Sequence, residues 1–199
     1  MTELSIPGLP AAPVWTVLPQ SWEYAEQALH ITAGPRTDLF TDPMGEVTVA
    51  NSPRLLFAPD AQFTLSAHVT VDFASTYDAC VLMLFVDDEH WAKLCFELSP
   101  QGEPTVVSVI NNDVSDDCNS TALLRRDCFL RVTGLGKAFA FHYSEDGNYW
   151  RMVRYFALRK TSPLAVGFST QSPTGEGCHG VFTDIRYNPV AIQNLRSGE

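Results

Sequence analysis

Apolar and polar residues alternate with a period of two along most of the chain. Ala61 to Val71 runs apolar, polar, apolar over eleven residues, the pattern of a strand with one face in a core and the other in water. Ala79 to Val86 is apolar throughout and lies between Thr76-Tyr77-Asp78 and Asp87-Asp88-Glu89, which predicts a central strand covered on both faces. Trp91 to Leu98 alternates again. Ala92, Leu94, Phe96 and Leu98 share one face, and Trp91, Lys93, Cys95 and Glu97 share the other.

Further strands are predicted at Thr105–Asn111, Phe129–Thr133, Ala138–Tyr143, Trp150–Phe156, Leu164–Thr170 and Gly180–Tyr187. Ser99-Pro100-Gln101-Gly102 and Ser144-Glu145-Asp146-Gly147 have the Pro, Gly and Asp-Gly chemistry of hairpin turns. Asn112 to Ser120 is polar and acidic and reads as a loop, and Asn188 to Glu199 as a loose polar tail. Two segments invite a helix reading: Ser21–Ala28, which is short and reads equally as a turn or strand, and Arg154–Lys160, which has weak helical character and no cap. Many short strands between Gly and Pro punctuation predict an all-β fold, an antiparallel sandwich of two sheets. One domain is expected over 1–199, with a sandwich core at about 14–188 and extensions at 1–13 and 189–199.

Composition narrows the function classes. The 199 residues carry 13 Lys and Arg against 23 Asp and Glu, a formal charge of −10. That field repels a phosphate backbone, so no nucleic-acid partner is expected. No stretch approaches the ~20 apolar residues of a membrane span, and Met1 to Pro13 lacks the basic and apolar regions of a signal peptide. The five cysteines are odd in number and without CxxC spacing, which points to reduced thiols. A cytoplasmic protein without a membrane partner is the expectation. The five histidines lack ligand spacing, and Asp87-Asp88-Glu89-His90 reads as a hydrated turn, so neither a metal nor another cofactor is expected.

Several ordered segments resemble one family of uncharacterised domains, the one that includes the regulation-of-enolase proteins, a branch of the concanavalin A-like lectin/glucanase superfamily. Asp38-Leu39-Phe40-Thr41-Asp42-Pro43 resembles its Asp-aromatic-x-x-Asp-Pro segment, departing at Leu39. Tyr77-Asp78-Ala79-Cys80-Val81-Leu82-Met83 resembles its Tyr-Asp-Gln-Ala-Gly-Leu-Met signature, with departures around Ala79 and Val81. Trp91-Ala92-Lys93-Leu94-Cys95-Phe96-Glu97 resembles its Trp-x-Lys-x-x-x-Glu strand, and Ser144 to Trp150 its Ser-x-Asp-Gly-x-x-Trp hairpin. Val166-Gly167-Phe168 with Gln171-Ser172-Pro173 resembles the closing strand and loop. The match runs from about Trp22 to Tyr187. It implies a curved jelly-roll sandwich, in a superfamily that holds both sugar binders and glycosidases.

Strand parity nominates a ligand site. Lys93 and Glu97 share a face about 13 Å apart by strand rise. Arg131 and His142 also lie on polar faces. If these strands share one concave sheet, the four converge with Asn111 and Gln171, and Tyr77, Asp78 and Trp91 mark the rim. Aromatic rings beside amides, carboxyls and a guanidinium suit a carbohydrate or sugar acid. The same residues also fit an ordinary solvated sheet face. A glycoside hydrolase needs two carboxyls roughly 5–9.5 Å apart. No Glu-x-Asp-x-x-Glu strand is present, which leaves Glu97 with Asp78 as the catalytic candidates. A third reading is a regulatory protein docking onto a metabolic enzyme through an apolar patch around Trp15, Trp22 and Tyr24.

Overall fold

The computed structural model describes residues 4–159 and 161–199. Among them there is no helix, and therefore none long and apolar enough to cross a membrane. Two seven-stranded antiparallel sheets stack face to face.

Sheet A runs, from edge to edge, β1 (Val14–Val17), β6 (Arg54–Phe57), β15 (Ala165–Gln171), β8 (Ala79–Asp87), β9 (His90–Leu98), β10 (Pro104–Asn112) and β11 (Val114–Ala122). Sheet B runs β14 (Arg151–Phe156), β13 (Phe139–Ser144), β12 (Asp127–Leu135), β7 (Gln62–Val71), β16 (Cys178–Asn188), β3 (Ala28–Ala33) and β2 (Ser21–Ala25). A small ribbon of β4 (Leu39–Thr41) and β5 (Thr48–Ala50) belongs to neither.

The period of two places the core. Leu82, Leu84, Ala92, Leu94, Phe96, Val106 and Ile110 of sheet A meet Leu65, Val69, Leu130, Val132, Phe141 and Phe182 of sheet B between the layers. β8 lies at the middle of sheet A and is buried on both sides, as its unbroken apolar run predicts. Its second face joins Leu39, Leu56, Trp91, Cys95, Val107 and Val109 in a smaller cluster on the outside of sheet A. Leu39 comes from the β4–β5 ribbon, so that ribbon roofs part of the outer face.

The structure corrects several expectations. Asn112–Ser120 is mostly a strand, β11, paired with β10 from Thr105↔Ala122 to Asn112↔Val114. It is an edge strand with mostly exposed side chains, so its ladder forms without an apolar pattern. Of the two segments that invite a helix reading, Ser21–Ala28 takes its turn-and-strand alternative and the described part of Arg154–Lys160 is not helical. Ser21–Ala25 and Ala28 onward form the β2–β3 hairpin, with Glu26 and Gln27 at positive φ in the turn. Arg154–Phe156 belongs to β14, and Lys160 lies outside the described residues. The tail is docked rather than loose. The carbonyls of Leu195 and Gly198 accept hydrogen bonds from sheet B, and Gly198 is buried. All five cysteines are unpaired.

Candidate functional site

Register lays the outer face of sheet A out in rows. Gln171, Ala79, Glu97 and Thr105 follow one another across β15, β8, β9 and β10. Ser169, Val81, Cys95, Val107 and Asn119 form the next row, and Gly167, Met83, Lys93, Val109 and Asp117 the one after. Residues of one strand two positions apart point the same way. Small side chains therefore floor the space between Lys93 and Gln171. Gly167 leaves no room for a side chain, since a Cβ there would sit 1.9 Å from the Leu55 carbonyl.

Lys93 is buried, and its ammonium donates to Asp38 Oδ1 at 2.9 Å and to Gln171 Oε1 at 3.1 Å. Burial pulls its pKa down, and Asp38 with the other nearby acidic groups pulls it up by more, so the net shift is upward. Lys93 therefore stays charged, with one of its three N–H donors still unassigned.

Glu97 behaves in the opposite way. Its side chain is nearly enclosed, and no hydrogen bond to its carboxyl offsets the loss of water. Burial raises its pKa to about 8. Lys93 opposes the shift, and Asp117 and Asp38 add to it. At neutral pH Glu97 is thus mainly a carboxylic acid, able both to donate and to accept a hydrogen bond. The same face holds further polar atoms that are buried without a partner: Trp91 Nε1, Ser169 Oγ, and Nε and Nη1 of Arg54. Arg54 lies with its guanidinium carbon 4.9 Å from the Phe85 ring centre, and burial lowers its pKa.

The remaining predicted residues fall into three groups. Asn111 is fully buried and committed, donating to the Glu89 carbonyl at 2.7 Å and accepting from Ser115 Oγ at 3.0 Å. Asp78 is also committed. Its carboxylate accepts from the Ala74 and Ser75 amides at 2.9 and 2.8 Å and from Ser172 Oγ at 2.6 Å, closing the loop before β8. A carboxylate with three donors and no exposure holds a loop in place and is not poised beside Glu97 as an acid or base. Tyr77 takes the left-handed conformation at φ 71° and remains 38% exposed, with its amide bonded to the Leu98 carbonyl at the end of β9. That bond holds Tyr77 beside the end of the strand that carries Glu97.

Arg131 and His142 do not join this set. They are direct cross-strand partners on β12 and β13, in sheet B. Alternation identifies which side of a strand a residue occupies, and strand pairing decides the sheet. The whole two-layer core separates the outer faces of the two sheets. Arg131 Nη2 donates to the Gly198 carbonyl at 2.6 Å, and His142 Nε2 to the Leu195 carbonyl at 2.8 Å, both under the tail.

Sequence reasoning did not identify Asp38, which sits 55 positions from Lys93 in a segment before β4. Ser169 and Arg54 were also missed. Ser169 alternates with buried residues on β15, and that parity was the available signal. Of the apolar patch considered for a protein partner, Trp15 and Tyr24 pack against the core and Trp22 stays 39% exposed. The Asp87 carboxylate is engaged by Thr161, His90 and the Glu89 amide. No group of three or more His, Cys, Asp or Glu among the described residues is arranged to hold a metal ion.

Two stacked seven-stranded antiparallel sheets define an all-β sandwich. The fold is shared with the carbohydrate binding module CBM66 from Bacillus subtilis, at a TM-score of 0.54 and 12% identity, covering 87% of this chain and 94% of that one. It is also shared with part of the xylan beta-1,4-xylosidase from Bacillus halodurans C-125, at a TM-score of 0.64 and 12% identity, covering 84% of this chain and 38% of that one. The chain belongs to the family described as Protein of unknown function (DUF1349), which matches residues 15–190. A relative named Regulation of enolase protein 1, from Saccharomyces cerevisiae, is 27% identical over 173 residues, 85% of this chain and 86% of that protein. A functionally unknown protein from Saccharomyces cerevisiae has the same fold at a TM-score of 0.81 and 24% identity, covering 92% of this chain and 97% of that one.

Proposed function

We propose that the protein is a non-catalytic binding module for a neutral carbohydrate, held on the outer face of sheet A around Glu97, Lys93 and Gln171, with Tyr77 at the rim. One observation carries the reading. The Glu97 carboxyl, Trp91 Nε1, Ser169 Oγ and Nε and Nη1 of Arg54 lie on one sheet face without a hydrogen-bond partner. Trp91 and Ser169 are sealed under the chain, so the group that faces a ligand is Glu97, still 9% exposed, whose neutral carboxyl both donates to and accepts from a hydroxyl. Charge selects a neutral ligand, because Lys93 is already matched by Asp38 and Glu97 is protonated below pH 8.

The fold shared with a carbohydrate binding module supports this reading. Hydrolysis is disfavoured because Asp78, the second carboxyl expected beside Glu97, is consumed by three hydrogen bonds. A protein-docking role is the second reading, supported by the name of the yeast relative and by the exposed Trp22.

The test is a thermal-shift screen of the protein with neutral xylo-, gluco- and fructo-oligosaccharides, repeated on Glu97→Gln and Lys93→Met. A saturable rise in melting temperature, reduced at least tenfold in apparent affinity by either substitution, is expected. Absence of any shift across the panel overturns the carbohydrate reading. A Trp22-dependent complex with a metabolic enzyme would put the docking reading in its place.

A further inference from the structure

The outer face of sheet B carries a second constellation, independent of the carbohydrate reading. Register aligns Arg186, Ser66, Arg131 and His142 in one row across β16, β7, β12 and β13. Two guanidiniums therefore flank a serine, from strands about 10 Å apart. Arg131 is buried, and its guanidinium carbon stacks 3.9 Å from the Trp150 ring centre. One of its donors serves the Gly198 carbonyl, and Nε has no partner.

Arg131 makes no ion pair among the described residues, and Glu199, an acidic residue, lines the same cavity outside ion-pair distance. Burial alone displaces the Arg131 pKa, down to about 10. His142 beside it adds no second positive charge, since burial, and then the Arg131 charge, push its pKa down to about 4. A buried cation without a counter-ion is costly, and such a group is ordinarily paired.

An open cavity of about 400 Å³ lies against this row, lined by Arg131, Arg186, Trp150, Ser66, Thr64 and Asn188. That volume falls inside the ~300–1,000 Å³ range of small-molecule sites. Another surface cavity, at His30 and His179, is about 220 Å³ and falls below it. Arg186 has only an exposed pair with Asp184 at 2.8 Å, which an incoming anion can share. Residues 190–193 line the cavity's far side, and Glu199 stands with them.

We infer that this cavity is an oxyanion site: a carboxylate or phosphate group of a small ligand sits over Ser66, bridged by Arg131 and Arg186, with the ligand body against Trp150. Guanidinium forks match both anions, so the shared chemistry defines the ligand. Trp150, which lines the cavity, adds apolar surface beside the guanidinium it stacks on.

Isothermal titration with glucuronate and with glucose 6-phosphate, at constant ionic strength set by chloride and with glucose as control, tests the inference. Saturable binding of at least one anion is expected, and which one binds identifies the source of the oxyanion. Arg131→Met and Arg186→Gln should each weaken it at least tenfold. Arg186 is exposed, so its variant folds whatever Arg131 contributes to stability. Glu97→Gln should leave anion binding unchanged, which separates this site from the carbohydrate face. No saturable binding of either anion, or equal binding in both arginine variants, overturns the inference.

Discussion

The outer faces of the two sheets treat buried charge in opposite ways. On sheet A the cation Lys93 has its carboxylate, Asp38, at 2.9 Å, and the uncompensated group is an acid, Glu97. On sheet B the cation Arg131 makes no ion pair among the described residues, while the neighbouring imidazole is held neutral. Both faces look alike in sequence, as polar residues alternating with core residues. The difference lies in what the rest of the chain brings to each. The segment leading into β4 delivers Asp38 to sheet A, and the C-terminal segment delivers backbone carbonyls to sheet B.

Removing each cation should separate the two faces most sharply. Lys93→Met removes the cation paired with the partly buried Asp38, so it should destabilise the protein by about 3 kcal/mol in urea unfolding. Arg131→Met removes an unpaired buried charge and should change stability by less than about 1 kcal/mol, or raise it. Equal losses in the two variants would remove the contrast.

The pH dependence of stability sharpens the same comparison. Glu97 has a folded pKa near 8 against 4.5 when unfolded, so between these values the folded state binds the extra proton. Stability therefore falls as pH rises through this window, by roughly 3 to 5 kcal/mol in all. His142 works in the other direction. Its folded pKa near 4 lies below 6.5, so its contribution is present above pH 6.5 and is lost as pH falls toward 4. Above pH 6.5 the Glu97 slope stands alone of the two, and Glu97→Gln should flatten the decline between pH 6.5 and 8. Unfolding curves across pH 5 to 9 for both proteins check this.

The smallest expected effect concerns the tail. Gly198 adopts φ +77°, and a Cβ there would lie 2.6 Å from Trp150 Cβ and 2.7 Å from Arg131 Nη2. Gly198→Ala should therefore loosen the tail at a cost of about 1 kcal/mol. The His142 pKa, followed by NMR, should then rise from about 4 toward 6.5 as water reaches the ring.

Much of the fold was legible in the chain because the period of two is a local property. Ala92, Leu94 and Phe96 face the core and Lys93, Cys95 and Glu97 face outward, as alternation requires. The placement of Lys93, Glu97 and Gln171 on one face follows from that parity together with the pairing of β9, β8 and β15. Alternation carries no information about which strand lies beside which. Arg131 and His142 therefore obey the parity expected of them and still lie on the other sheet. The strand character of β11 was hidden for a related reason. Its backbone pairs with β10 while Asp116, Asp117 and Asn119 remain in water, so the ladder leaves no apolar trace. The Asp38–Lys93 contact joins residues 55 positions apart and is set by tertiary packing alone.

The most direct test of the central claim is an amide chemical-shift map of the protein titrated with the neutral oligosaccharide that stabilises it most. Saturable shifts clustered on β8, β9, β10 and β15 around Glu97, absent in Glu97→Gln, are the expected result. Shifts confined to sheet B, or no saturable shifts with any neutral oligosaccharide, would contradict it.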